Sequence, residues 1–117
     1  MDRPTSEFES PYREALAGIL SFSSFAKAEE TLRRLDVLCR KYHSSSDQKG
    51  VDYCRQIALK GRRRAELIGR NKRVNPRKRE QKLEMAMWFK VWLETPEIFE
   101  NWLAMRKNTR EFRELQE

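Results

Sequence analysis

The sequence predicts an all-α fold, a compact helical bundle of four to five helices in a single domain. Three observations carry this reading. Apolar residues recur at three- and four-residue steps along most of the 117-residue chain, and nowhere alternate as a strand would. Glycine and proline number only four each, which suits long helices joined by few turns. Ser10-Pro11, Asn75-Pro76 and Thr95-Pro96 each place a capping side chain before a proline, the residue whose fixed φ suits the first helical position.

Residues 1–10 read as an N-terminal tail and residues 11–117 as the helical domain. The first helix is expected over residues 11–20, with Leu16, Ile19 and Leu20 as its apolar face. A second, over residues 25–42, is capped by Ser23 or Ser24 and repeats Phe25, Ala28, Leu32, Leu35, Cys39 and Tyr42 on one side, widened by Leu38. Arg40 and Lys41 fall in its last turn, where positive charge suits the macrodipole. The polar run 43–47 reads as a loop. The third helix, over residues 48–68, carries Val51, Cys54, Ile57, Ala58, Gly61, Ala65 and Ile68 within about 120° of arc at 100° per residue. Gly61 and Ala65 make that face thin, and Gly61 invites a kink; Gly69 is placed to end the helix. The fourth, over residues 76–94, has one stripe of Met85, Trp88, Phe89 and Trp92 and a second of Leu83, Met87 and Val91, the pattern of a central core helix. A fifth, opening at Thr95-Pro96-Glu97, sets Ile98, Phe99, Trp102, Met105, Phe112 and Leu115 on one broad face.

Charge is distributed unevenly. Residues 1–59 are net neutral, residues 60–82 hold eleven basic side chains against Glu66 and Glu80, and residues 83–117 are net −2. The whole +7 excess therefore resides in one segment: Lys60, Arg62, Arg63, Arg64, Arg70, Lys72, Arg73, Arg77, Lys78, Arg79 and Lys82. On the third helix, Arg63 and Arg70 project opposite the apolar face, with Lys60 and Arg55 flanking them. Arg77, Lys78 and Arg79 fall in the first turn of the fourth helix, where the macrodipole disfavours a cation by up to about 1 kcal/mol. Stability alone does not explain that placement, whereas an anion at a helix N-terminus would. A basic footprint of this kind points to nucleic-acid phosphates, of DNA or RNA. The segment contains no aromatic residue on which bases could stack and no recognisable recognition-helix pattern, so the expected binding is largely independent of sequence.

The other function classes find little support. No catalytic signature is present: His43 beside Ser44, Ser45, Ser46 and Asp47 does not make a triad, Glu80 and Glu84 have no companion histidine, and the isolated Gly61 and Gly69 do not form a phosphate loop. Cys39, His43 and Cys54 would supply three metal ligands at best, short of a closed zinc site, so neither metal nor cofactor is expected. Cys39 and Cys54 read as small buried hydrophobes, and the N-terminal residues lack the features of a secretory signal, which makes a cytoplasmic location the expectation. No apolar stretch is long enough for a membrane span, and no membrane partner is expected. The rival reading is a protein-interaction module in which the basic strip docks an acidic partner, or acidic side chains of the last helix, Glu97, Glu100, Glu111, Glu114 and Glu117, meet a basic one. Exposure of Phe112 and Leu115 would favour that rival.

Overall fold

The structure, a computed structural model, describes residues 24–116. The helix expected over residues 11–20 lies outside them. All regular structure among the described residues is helical: α1 (Phe25–Ser44), α2 (Gln48–Arg70), α3 (Pro76–Glu94), a 3-10 turn (Pro96–Ile98), α4 (Phe99–Lys107) and α5 (Arg110–Gln116). No helix among them is long and apolar enough to cross a membrane. The chain divides into two compact units at Gly61/Arg62, a boundary inside α2.

The first unit is built on α1 and the opening turns of α2. Ser24 caps α1, its hydroxyl accepting from the Lys27 N–H at 3.4 Å. Ala28, Leu32, Leu35 and Tyr42 are buried on the expected face, joined by Thr31. The helix ends two residues later than the periodicity predicts. The amide of Ser46 donates to the His43 carbonyl and that of Asp47 to Tyr42, with Ser46 at a φ of 56°. These paired bonds around a left-handed residue are the usual way a helix satisfies its last carbonyls. The next helix starts at once, because the Asp47 carboxylate accepts from the Gly50 N–H at 3.1 Å. A Cβ at position 50 would collide with the Tyr42 ring, so glycine there lets the two helix ends meet. Cys54, Ile57, Ala58, Gly61 and Ala65 are buried as the α2 pattern predicts, and the helix runs unbroken through Gly61. Both thiols are free. Burial is the main reason the Cys54 thiol is pushed up to about 12 and Cys39 is raised as well. Both remain protonated and unreactive near neutral pH.

The second unit is organised by α3. Trp88, Phe89 and Trp92 are fully buried, each contributing on the order of 2–3 kcal/mol of apolar transfer energy. Trp88 meets Phe112 of α5 with ring centroids 5.6 Å apart. Three expectations are corrected here. The second apolar stripe of α3 does not face a core: Leu83 and Met87 are exposed and Val91 is partly so. The buried arc runs instead through Lys82, Glu84, Met85, Ala86, Trp88, Phe89, Trp92 and Leu93, which spans about 200° at 100° per residue. Gly69 does not cap α2; it lies inside the helix, buried, where a Cβ would approach Leu83 Cδ2 to 2.5 Å. The fifth helix is two helices. Asn108 and Thr109 break it: the Thr109 hydroxyl donates to the Arg106 carbonyl at 2.7 Å and accepts from the Phe112 amide at 3.3 Å, ending α4 and starting α5. The break buries Phe99, Leu103 and Phe112 but leaves Ile98 and Met105 in solvent.

Candidate nucleic-acid interface

The basic residues of the second unit surround the connector between α2 and α3. That connector is bridged by its own hydrogen bonds. The Asn71 side chain accepts from the Arg73 amide at 3.0 Å, and the Val74 amide donates to the Asn71 carbonyl at 3.0 Å. The side chain of Asn75 then caps α3, accepting from the Arg77 amide at 2.8 Å, with Pro76 in the first turn as its fixed φ favours. Asparagine serves in both places because its amide oxygen reaches a backbone N–H two residues on. Lys72 and Arg73 are thereby held on a short exposed turn.

The eleven predicted cations separate into distinct environments. Lys60 belongs to the first unit, where it is exposed. Arg62 and Arg70 both reach Glu66, at 2.8 and 3.5 Å, so this single carboxylate offsets charge on two neighbours. Arg77 and Arg79 have structural duties: Arg77 Nη2 donates to the Glu114 carbonyl at 3.2 Å, and Arg79 Nε donates to the Gly69 carbonyl at 3.2 Å. Gln81 adds a bond of 2.7 Å to the Leu115 carbonyl. Gly69, Glu114 and Leu115 lie in the last turns of α2 and α5, where carbonyls have no partner within their own helix. The start of α3 thus meets two negative helix ends, which favour the cations Arg77 and Arg79 that donate to them. These bonds give Arg77 and Arg79 a structural reason for their placement; Lys78 has no such bond.

Lys82 is 5% exposed and is withdrawn from the surface; burial, then the charge of Lys78, lowers its pKa. What remains is a set of exposed cations, Arg63, Arg64, Lys72, Arg73 and Lys78, whose side chains form no hydrogen bond or ion pair with the described residues. Arg70 joins them, its side chain 76% exposed despite the contact with Glu66.

One charged cluster was not singled out by sequence. Glu84, 3% exposed, receives both Arg106 Nε, at 2.8 Å to Oε2, and Arg106 Nη2 on Oε1, while Trp88 Nε1 donates to Oε2 at 2.8 Å. Its carboxylate is fully engaged in joining α3 to α4. The available signal was position: Glu84 sits four residues before Trp88, on the apolar stripe itself. No known protein family, curated protein or solved structure matches the chain.

Proposed function

We propose that the second unit binds nucleic-acid phosphates through the exposed cations at and around the α2–α3 connector, without catalysis and with little sequence preference. The observation that supports this is the set of exposed cations lacking acidic partners, Arg63, Arg64, Lys72, Arg73 and Lys78. A face that is merely solvated gains stability by pairing charges four residues apart. Helix α1 does this, with Arg33 on Glu29 and Arg34 on Glu30 at 3.0 and 2.8 Å. The cations at and around the connector do not, and gathering like charges around one connector costs stability unless an anion offsets it.

Phosphate contacts fix affinity and register but read no bases. With no aromatic residue between positions 60 and 82, stacking does not contribute on this face. The test is binding of the full chain to labelled duplex DNA and structured RNA across a salt series. Affinity is expected to fall linearly in log–log form, and Lys72→Gln, Arg73→Gln and Lys78→Gln together should reduce the slope by about two to three, since each phosphate contact contributes about 0.9. Absence of binding at low salt, or an unchanged slope in the triple variant, would refute the proposal.

A further inference from the structure

Basic side chains make up 25 of the 117 residues, yet none occurs from Val91 through Met105; the only charges there are Glu94, Glu97 and Glu100. The same stretch holds the most exposed large apolar side chain of the second unit, Met105 at 73%, and another at Ile98, 48% exposed. Trp102 lies between them in sequence and is half-buried, its ring stacked on Phe99 at a centroid distance of 6.4 Å. Steps of four and three residues, 98 to 102 to 105, put these side chains on one helical face. Ile98 keeps right-handed helical backbone angles at the junction of the 3-10 turn with α4, so the register carries across it. Phe99 and Leu103 hold α4 to its own unit from other positions, and Arg106 holds it to α3 through Glu84. Nothing in the packing of α4 requires Ile98 and Met105 to be apolar.

We infer that Ile98, Trp102 and Met105 form a docking face for a basic amphipathic helical segment of another protein. The apolar side chains would take the partner's apolar stripe, as a helix laid along a groove uses anchors three and four residues apart. The charges select the sign of the partner. Glu97 adjoins Ile98 in the 3-10 turn and Glu94 ends α3 just before that turn; both are exposed, and neither forms an ion pair with the described residues. Lysine and arginine on the incoming segment would meet carboxylates, whereas an acidic segment would be repelled by them; the flanking cations Lys90, Arg106 and Lys107 lie outside the 91–105 stretch, and Arg106 is committed to Glu84. Nucleic acid is excluded from this face on the same ground, so the surface is separate from the connector and does not depend on what the connector binds.

Of the three tryptophans, Trp88 and Trp92 are fully buried, so acrylamide quenching of the full chain reports chiefly on Trp102. The probe is a helical peptide of leucine and lysine with leucines at three- and four-residue steps; its counterpart has every lysine replaced by glutamate. The lysine peptide should protect Trp102 from quenching and bind at least tenfold more tightly than the glutamate peptide. Ile98→Ser with Met105→Ser should weaken it tenfold or more, with an unchanged circular-dichroism melting curve confirming the fold. Glu94→Gln with Glu97→Gln should weaken it several-fold and flatten its salt dependence. Equal binding of the two peptides would overturn the inference, as would undiminished binding by the serine variant. So would sedimentation showing a homodimer that the serine variant dissolves, because the face would then be covered by a second copy.

Discussion

Lys82 stands four residues after Lys78 on α3, and only one of the two reaches solvent. The difference lies in the angle each takes on the helix, 40° apart at 100° per residue, set against an unusually wide buried arc. Burial lowers the pKa of Lys82 from the ordinary 10.5, so the folded chain holds that proton less tightly than the unfolded chain does. Keeping the charge therefore costs stability at neutral pH, and the cost is relieved as pH rises through the lowered value toward 10.5. Lys82→Met keeps most of the volume and removes the charge. It should raise the denaturation midpoint at pH 7, with the gain over wild type shrinking as pH approaches 10, while nucleic-acid affinity stays within twofold. Urea titrations at several pH values, with one binding curve, check all three. A variant less stable than wild type at pH 7 would show that the ammonium has net favourable contacts.

The buried arc of α3 carries Glu84 because α4 supplies its counter-charge. A carboxylate this deeply placed is tolerable only with its hydrogen-bonding capacity filled, which Arg106 and Trp88 do. Burial of Glu84 also accounts for the exposed stripe opposite: with Glu84, Met85 and Trp88 inward, Leu83 and Met87 must turn outward. Arg106→Met should destabilise the chain by about 3 kcal/mol, the lower end for a broken buried pair because the arginine itself is one quarter exposed. Adding Glu84→Gln, which keeps an acceptor for the Trp88 N–H, should recover much of that loss, measured by urea denaturation as a double-mutant cycle. Elements of this kind mark the limit of what sequence makes legible. Helix starts at Ser24, Asn75 and Pro76 and the buried face of α2 could be read because capping chemistry and periodicity are local. The inward turn of Glu84 could not, since its partner is 22 residues away. Nor could the role of Gly69, which depends on the approach of Leu83 rather than on a turn. The break at Asn108-Thr109 had a local signal, a capping threonine, hidden by an apolar pattern that continues on both sides of it.

At the scale of the whole chain, one basic segment serves two ends, and the structure sorts its members between them. Arg77 and Arg79 donate to carbonyls at the ends of α5 and α2, so they belong to the fold; Lys72, Arg73 and Lys78 have no such bonds and belong to the proposed interface. The two sets lie within a few residues of one another, so composition and net charge cannot separate them, but perturbation can. Arg77→Gln with Arg79→Gln should lower stability by about 2–3 kcal/mol, each guanidinium–carbonyl bond being worth about 1–1.5 kcal/mol, below the usual value for a charged donor because one bond is exposed and the other only part-buried. The same pair should change the salt slope of nucleic-acid binding by less than one, provided binding is measured where the variant is folded. The triple of Lys72, Arg73 and Lys78 should do the reverse, lowering the slope and leaving stability unchanged or slightly raised as like charges are removed from around the connector. If the arginine pair instead lowers the slope as much as the triple does and leaves stability untouched, then the first turn of α3 is the anion site and its contacts to the helix ends are incidental.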